Sequence, residues 1–356
     1  MADHSDSPLS SKLLAEIDEI DRDLVRQIAN RQALVQQLAD SSPADAPVGR
    51  VAKAAARIEQ IVATEKATSS VAGALRHISS ICLQNVKTLR VSYLGPEHSY
   101  SHLAALKYFG DAVEFASVAS IPAVFDAVNE GHATTGLVPI ENSTDGRIVD
   151  TLGMFVRQQM QICGEVLLPI HHNLLSKTPR NEITQVHSKP QALSQCREWL
   201  SKNLPGATIH EASSTTGAAK LAATTPGVAA VASLQAGQQY GLDVIDASIE
   251  DNSNNITRFA VLGREEPDAT GDDKTSLLFQ VNHQPGALAD VMAVFKDQKL
   301  NLTWIESFPC PDSHNEYLFF VELTGHRSEQ SVAKTIEILD SSTQRLDVLG
   351  SYPRAH

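Results

Sequence analysis

The 356-residue sequence has no long apolar run, no cluster of basic residues and no paired cysteine motif. A membrane-spanning helix needs roughly 18 to 20 consecutive apolar residues, and no window of the sequence approaches that length. The formal net charge of −13 at pH 7 argues against a nucleic-acid-binding surface, because phosphate contacts need clustered Lys and Arg. The polar, acidic start of the chain lacks the features of a signal or transit peptide. The four scattered cysteines, which suggest no disulfide framework, are Cys82, Cys163, Cys196 and Cys310. The sequence therefore predicts a cytoplasmic protein with no membrane or nucleic-acid partner.

The common catalytic groupings are missing as well. No motif supplies a Ser-His-Asp set, a reactive-cysteine setting, a Gly-rich dinucleotide fingerprint or a pair of carboxylates. The pair His171-His172 has no second cluster at metal-ligand spacing, so we expect buried or capping histidines and no metal site. Neutral donors, a helix N-terminus and one arginine remain, and this set suits an anionic ligand that reacts readily once it is held.

The first 88 residues contain only helical patterns. Apolar residues recur at helical spacing from Leu13 to Leu38, and further helices are predicted at about 49–66 and 69–87. Three helices of this length need a partner to bury their apolar faces. We therefore expect this all-α segment to pack against its own copy.

Two further segments differ in pattern. Short apolar strands alternate with helical runs over about 175 residues, which predicts an α/β region with two lobes around a cleft. The polar linker "GREEPDATGDDK" follows, and then a β-α-β-β-α pattern predicts a compact α+β, ferredoxin-like unit. The expected domains are residues 1–88, 89–265 and 274–352.

Four stretches collect polar groups, and each has a structural reading beside a functional one. "VPIENSTDG" at 138–146 is either an ordinary turn or a ligand site at the carboxyl end of a strand. "EASSTTGAAKLAA" at 211–223 is a good helix cap and an equally good anion site. "VHSKPQALSQC" at 186–196 places two glutamines on one face of what could be a plain surface helix. "DNSNNITRF" at 251–259 gathers amides and hydroxyls at the start of a strand.

These stretches match a family in their order along the chain. The central region resembles prephenate dehydratase through "YLGPEHSYSHLAA", "VPIENSTDG", "HSKPQALSQC", "SSTTGAA" and "NNITRF". Through "HQPGALADV" and "NLTWIESFP", the last segment resembles the ACT regulatory domain that follows this dehydratase. The first segment looks like the all-helical chorismate mutase fused in front in the bifunctional enzymes.

The resemblance implies a multidomain protein whose central α/β domain has a two-lobed, periplasmic-binding-protein-like fold. It implies loss of carbon dioxide and water from prephenate in L-phenylalanine biosynthesis, with no cofactor, because aromatisation of the ring drives the reaction. It also implies that Thr257 is the general acid that helps the ring hydroxyl leave as water. The substrate-binding positions that it implies are Ser99, Asn142, Ser143, Thr144, Ser188, Gln195, Ser214, Thr215, Thr216, Arg258 and Phe259.

The outer segments match their families less completely. The mutase-like positions are Arg31, Arg50, Ser80 and Gln84, but Leu14, Ser42 and Val51 stand where the family has charged residues. Loss of these contacts predicts weak or absent mutase activity and a role in dimerisation. The resemblance implies L-phenylalanine as an allosteric effector and a homodimer or homotetramer. The implied effector positions are Gly286, Ala287, Leu288, Asn301, Glu306 and Ser307, with Phe308 in place of the usual arginine.

Alternatives remain open at this point. The central region could be a solute-binding module without catalysis, although Thr257 and the complete Thr-Arg-Phe motif argue against this. The enzyme could prefer arogenate, which carries an amino group where prephenate has a keto oxygen. It could also be a fully active bifunctional mutase and dehydratase.

Overall fold

The computed structural model describes residues 8–41, 47–84, 89–144, 146–264, 266–310 and 316–355. The helical region consists of α1 (Pro8–Ser41), α2 (Pro47–Thr64) and α3 (Ser69–Gln84), close to the predicted spans. Large apolar side chains along α1 are about half exposed, among them Ile17, Ile20 and Leu24. The described part of the chain therefore leaves the apolar face of α1 exposed.

The central region begins at residue 89 and alternates strands with helices. Its strands are β1 (Arg90–Leu94), β2 (Glu114–Val118), β3 (Thr135–Asn142), β4 (Gly146–Arg147), β5 (Gln161–Pro169), β6 (Asn173–Ser176), β7 (Gln185–Ser188), β8 (Thr208–Glu211), β9 (Val228–Ala232), β10 (Asp243–Asp246) and β11 (Ile256–Gly263). Its helices are α4 (Tyr100–Phe109), α5 (Ile121–Asn129), α6 (Val149–Arg157), α7 (Pro190–Gln195), α8 (Arg197–Asn203), α9 (Thr215–Ala222) and α10 (Leu234–Gln239).

These strands form two separate sheets, which we call lobe 1 and lobe 2. Lobe 1 has the order β2-β1-β3-β11-β5, with β4 paired to β3, and lobe 2 has the order β10-β6-β9-β7-β8. The chain crosses between the lobes twice, at 170–172 and at 247–255. The apolar pattern of "GEVLLPIHHNLL" predicts one continuous strand, and this prediction is wrong, because β5 and β6 belong to different sheets and residues 170–172 form the crossing between them.

Serine caps set the starts of four helices in the central region. The side chains of Ser99, Ser120, Ser214 and Ser233 each accept a backbone N–H from the first turn that follows. Such a cap satisfies one of the backbone donors that a helix start leaves without an intrahelical partner. The serine-rich motifs therefore fix where these helices begin.

The C-terminal unit has the order β12 (Asp273–Gln280), α11 (Ala287–Asp297), β13 (Leu302–Pro309), β14 (Tyr317–Thr324), α12 (Gln330–Ser342) and β15 (Arg345–Pro353). Its antiparallel sheet has the order β13-β14-β12-β15. The sequence pattern had indicated the first five elements and had missed β15, which pairs with β12 along its whole length.

The C-terminal unit packs directly on lobe 1. One hydrophobic core includes Phe155 and Ile162 from lobe 1 together with Phe320 and Leu349 from the C-terminal unit. At Gly350 (φ 140°), an added Cβ would lie 2.3 Å from the carbonyl oxygen of Ile162, so the two backbones meet without a side chain between them. The shared core couples the position of the C-terminal unit to the strands of lobe 1.

Among the described residues, no helix combines the length and the apolar character needed to cross a membrane. The cytoplasmic location stays a prediction.

Candidate active site

A cleft of about 490 Å³ lies between the two lobes. This volume is typical of small-molecule sites. Lobe 1 contributes the β1–α4 loop, the end of β3 and the start of β11, and lobe 2 contributes the starts of α7 and α9. The polar and charged residues that line it are Ser99, Tyr100, Ser101, Ser120, Asn142, Asp150, His172, Lys189, Gln191, Gln195, Ser213, Ser214, Thr215 and Thr257.

Thr257 and Asn142 face each other across neighbouring antiparallel strands. They are register partners in the β11–β3 pair, and the Asn142 Nδ2 donates to Thr257 Oγ1 at 2.8 Å. The same Nδ2 donates to Asn255 Oδ1 at 2.9 Å, while Asn142 Oδ1 accepts the backbone N–H of Thr144 at 2.9 Å. The amide of Asn142 is thus held in one orientation, with its donors towards Thr257 and Asn255.

A chain of polar contacts continues from Asn255 across the cleft floor. Asn255 Nδ2 donates to Gln195 Oε1 at 3.0 Å, and the same oxygen lies 2.9 Å from His172 Nε2. His172 Nδ1 lies 3.0 Å from the hydroxyl of Tyr100. An amide oxygen only accepts, so His172 donates from Nε2, and a neutral His172 then presents Nδ1 as an acceptor. The chain links both interlobe crossings to Thr257.

Burial sets the protonation of this network. It lowers the pKa of His172 and raises that of the Tyr100 hydroxyl well above its usual value, so both groups are neutral near pH 7. Burial alone would raise the pKa of Glu250, but hydrogen bonds from the His171 ring and the His172 amide lower it. The carboxylate of Glu250 therefore holds the crossing that carries His172, while the cleft floor itself carries no charge.

The opposite wall suits an anion. Ser214 caps α9 by accepting the N–H of Gly217 at 2.9 Å, and Ser213 and Thr215 line the cleft beside this helix start. The partial positive charge of a helix N-terminus favours a carboxylate here. Lys189 lines the same wall and adds a full positive charge.

Several residues predicted to bind substrate lie elsewhere. Ser188 is fully buried and its hydroxyl donates to the Val231 carbonyl at 2.6 Å, so it joins two strands of lobe 2. The hydroxyl of Ser143 donates to the Asn254 carbonyl and accepts the N–H of Ile256. These two side chains stabilise the strands that carry the cleft residues and do not line the cleft.

The remaining positions divide between cleft and core. Thr144 acts through its backbone N–H on Asn142, and Thr216 is buried behind the start of α9. Phe259 lines the cleft as part of its apolar wall. Arg258 extends from the opposite face of β11 into ion pairs with Glu141, Glu165 and Glu322, and does not line the cleft.

Comparisons with known proteins agree with this arrangement. A family model described as prephenate dehydratase matches residues 91–267. The bifunctional chorismate mutase/prephenate dehydratase of Aquifex aeolicus (strain VF5) is 37% identical over 353 residues, which cover 97% of this chain and 98% of that protein. This chain belongs to the prephenate dehydratase family.

Two further members of the family are also similar to this chain. The bifunctional chorismate mutase/prephenate dehydratase of Pseudomonas aeruginosa is 37% identical over 354 residues and is covered to 97%. A solved structure of prephenate dehydratase in complex with L-Phe from Arthrobacter aurescens superposes with a TM-score of 0.70 at 30% identity, covering 75% of this chain and 90% of that one. The α/β fold of the central region is therefore that of the prephenate dehydratases.

The predicted effector positions of this dehydratase-family chain fall into two groups. Gly286 (φ 89°) and Leu288 line an open groove on α11 that Gln284, Met292 and Lys296 also border. Glu306 faces lobe 1, where Arg147 donates to its carboxylate at 2.6 Å. Ala287 begins α11, Asn301 precedes β13, and Ser307 is exposed on β13. Phe308 packs against the core shared with lobe 1, which is an apolar role that the usual arginine could not fill.

The mutase-like positions are described only in part. Arg31 Nη2 donates to Ser79 Oγ at 3.2 Å, and Ser80 is buried against the backbone of Gly110 from the central region. The cavity beside Ser80 measures only about 10 Å³. The side chains of Arg50 and Gln84, and the whole of Ser42, lie outside the described residues.

Sequence reasoning missed several residues of the cleft and its floor, among them Ser101, Ser120 and Asp150. Four others lie inside stretches that the sequence had already marked. These are Tyr100 in "YLGPEHSYSHLAA", His172 in the His-His pair, Lys189 in "HSKPQALSQC" and Asn255 in "NNITRF". The available signal was position, because each lies within three residues of a strand end or a helix start. Their contacts join residues 23 to 113 positions apart, which no local pattern reports.

Proposed function

We propose that this protein is a prephenate dehydratase that converts prephenate to phenylpyruvate, with Thr257 as the general acid. The observation that carries the proposal is the bond from Asn142 Nδ2 to Thr257 Oγ1 inside the cleft. An oxygen that accepts this bond keeps its own proton to give. As that proton is transferred, the same bond stabilises the negative charge that develops on Oγ1.

The reaction needs only one proton from the protein. The ring C–O bond breaks and the hydroxyl leaves with the Thr257 proton as water. The bond from the ring to its carboxylate breaks at the same time, releases carbon dioxide and leaves its electron pair in the aromatic ring. Thr257 then regains a proton from solvent.

The opposite wall would hold the substrate's anions. The start of α9 and Lys189 lie across the cleft from Thr257 and offer one helix N-terminus and one cation. The neutral floor formed by Asn255, Gln195 and His172 orients Asn142 without attracting a carboxylate to the wrong end. Positive charge on the lobe 2 wall, with Asp150 the charged residue on the lobe 1 side, would hold the carboxylates away from Thr257 and place the ring hydroxyl there.

The experiment is a set of separate assays of the purified protein with prephenate, arogenate and chorismate. Phenylpyruvate from prephenate supports the proposal. Turnover of arogenate alone would show that the protein is an arogenate dehydratase. Ligand binding without turnover of any of the three substrates would show that the central region is a binding module without catalysis.

The C-terminal unit is proposed to be an ACT regulatory domain that binds L-phenylalanine. Its strand order and its βαββαβ sequence of elements support a ferredoxin-like fold. The groove at Gly286 and Leu288 supports an amino-acid site. A structure of a relative carries L-Phe, and feedback by this end product would suit an enzyme of its synthesis. The proposed domains remain residues 1–88, 89–265 and 274–352.

The helical region is proposed to join two copies of the chain into a homodimer or a homotetramer. The support is the exposed apolar face of α1, including Leu13, Ile17, Ile20 and Leu24, which a second copy would cover. Chorismate mutase activity is a second candidate, because two relatives that are 37% identical to this chain carry that name. The cations missing at Leu14 and Ser42, and the acidic residue that Val51 replaces, argue for weak activity.

A further inference from the structure

Arg258 and Thr257 are neighbours on β11 and point to opposite faces of lobe 1. Successive side chains of a strand alternate between the two faces of its sheet, so the residue next to a cleft-facing Thr257 must face away from the cleft. Arg258 reaches the C-terminal unit, where Nη2 lies 2.6 Å and 2.8 Å from the two oxygens of Glu322. The Thr-Arg-Phe motif therefore joins the cleft to the C-terminal unit through a single strand.

Five charged side chains meet behind the cleft, and we call them the ion cluster: Glu141, Glu165, Arg258, Lys274 and Glu322. Arg258 also contacts Glu141 at 2.8 Å and Glu165 at 3.2 Å, while Lys274 lies 3.0 Å from Glu165 and 3.5 Å from Glu322. The side chain of Glu322 is completely buried and that of Arg258 is 16% exposed. Three members belong to lobe 1, and Lys274 and Glu322 belong to the C-terminal unit.

The ion cluster depends on all its members. Two positive and three negative groups give a formal charge of −1, and the Tyr352 hydroxyl and the Ala355 N–H donate further hydrogen bonds to Glu322 and Glu165. Removing one partner of a buried ion pair leaves a charge without compensation, which the surrounding structure must move to relieve. Arg258 also stacks over Trp304, with its guanidinium carbon 5.3 Å from the ring centre.

The ion cluster contacts both of the strands that carry Thr257 and Asn142. Glu141 directly precedes Asn142 on β3, just as Arg258 directly follows Thr257 on β11, and Glu141 and Arg258 are register partners. The register shifts immediately beyond this pair, and a β-bulge of this kind re-aims side chains near functional sites. Any rotation of β11 or β3 about this point would alter the 2.8 Å contact between Asn142 and Thr257.

We propose that Arg258 is a positioning residue that acts through the ion cluster, so that Glu322 and Lys274 of the C-terminal unit complete the geometry of the active site. This inference rests on the proposed dehydratase function. It replaces the expectation that Arg258 binds substrate, and it assigns a route by which the C-terminal unit affects turnover.

The test compares Arg258→Gln, Glu322→Gln and the double variant in the full-length protein, with kcat and KM measured separately on prephenate. Each single variant should lower kcat by about tenfold to 100-fold, as small misplacements of catalytic groups do, while KM changes by less than about twofold. The kcat of the double variant should be no lower than that of the less active single variant, because the two side chains act as one unit. Arg258→Lys, which keeps the positive charge, should recover part of the loss.

Arg345→Gln is the matched control. Arg345 also joins the C-terminal unit to lobe 1, by donating to the Val156 carbonyl at 3.0 Å, but it contacts neither β3 nor β11. Its substitution should leave kcat unchanged. Thermal unfolding of every variant identifies loss of folding, and the double variant, which keeps the formal charge of the ion cluster at −1, is the one to rely on if a single variant unfolds.

The outcomes separate this inference from the proposed function. If the wild-type protein does not convert prephenate, the proposed function fails. If it does, a raised KM in Arg258→Gln with normal kinetics in Glu322→Gln would mean that Arg258 binds substrate, and the inference would be overturned. Normal kcat in both folded single variants would overturn it as well.

Discussion

The side-chain amide of Asn142 gives one hydrogen to Thr257 Oγ1 at 2.8 Å and the other to Asn255 Oδ1 at 2.9 Å. Its oxygen accepts the N–H of Thr144, so the amide cannot turn over without losing three contacts. Thr257 Oγ1 therefore accepts a hydrogen bond and keeps its own proton. Ser188 differs, because its hydroxyl donates to a backbone carbonyl. This difference decides which hydroxyl in the motifs can serve as an acid.

Replacing Thr257 with valine should lower kcat on prephenate by about 100-fold or more, because general-acid contributions are typically 10² to 10⁴. Valine fills the same space, so the fold should stay intact, although the loss of the acceptor for Asn142 Nδ2 should lower the thermal midpoint. Thr257→Ser, which keeps the hydroxyl, should retain most of the activity. Ser188→Ala is the matched control: it removes a buried hydroxyl of lobe 2 and should reduce stability without a comparable loss of kcat. A valine variant with near-normal kcat would refute the role of Thr257.

Asn142→Asp tests the donor rather than the acid. The two side chains have the same shape, but aspartate cannot donate to Thr257 and places a negative charge where one must develop. We expect kcat to fall by about 100- to 1000-fold, as when an oxyanion-hole donor is removed. Asn203→Asp makes the same substitution outside the cleft, where Asn203 Nδ2 donates to the Trp199 carbonyl, and should leave kcat unchanged. Equal activity of the two variants would argue against stabilisation by Asn142.

The sequence predicted the long elements well and the edge strands poorly. The helices of the first 88 residues and the buried strand β9 have strong apolar patterns. The strands β2, β8 and β10 were not predicted, and all three lie at sheet edges, where a strand needs few buried residues. Their pairing depends on neighbours that are distant in the sequence.

For the site, motifs located the residues but did not give the direction of each side chain. Thr257 and Arg258 cannot both face the cleft from one regular strand, and the period of two was an available signal that the motif resemblance overrode. The contact between His172 and Gln195 had no such signal, because it depends on how the two lobes come together.

Protonation of His172 should make stability depend on pH. Burial lowers the pKa of the folded-state imidazole below its usual 6.5, so between these two values the unfolded chain binds a proton that the folded chain does not. Stability should therefore rise with pH through this window and be lost as the pH falls below about 6.5. His172→Gln should make the pH dependence of the thermal midpoint shallower, and His102, whose pKa burial also lowers, should supply part of the remainder.

His132→Gln is the control for this effect, since the His132 side chain is 73% exposed on the surface. Its midpoint should follow the wild-type curve. An unchanged slope in His172→Gln would show that His172 does not titrate as its burial requires.

L-Phenylalanine should lower turnover and raise the thermal midpoint of the wild-type protein. An inhibitor of this kind must bind one global state better than another, because equal affinity shifts no equilibrium. Gly286→Trp should abolish both effects by filling the groove on α11. Gly271→Trp is matched to it, because Gly271 also has a positive φ (92°) with open space at its Cβ but lies away from the groove. Calorimetry that detects no binding at about millimolar phenylalanine would contradict regulation by this ligand. The replacement of the usual arginine by Phe308 would then be the first cause to test.

Chorismate should be a poor substrate, although two relatives are named bifunctional chorismate mutase/prephenate dehydratase. Two expected cationic contacts are missing, and Ser80 packs against Gly110 beside a cavity of about 10 Å³, which is room for about one water molecule. The full-length protein given chorismate should form little phenylpyruvate, and an added independent chorismate mutase should restore its production. That addition is the control, because it shows that the dehydratase is active under the same conditions. Rapid conversion without the added mutase would contradict the prediction. It would mean that a second copy packed on α1 rebuilds the site and supplies the missing cations.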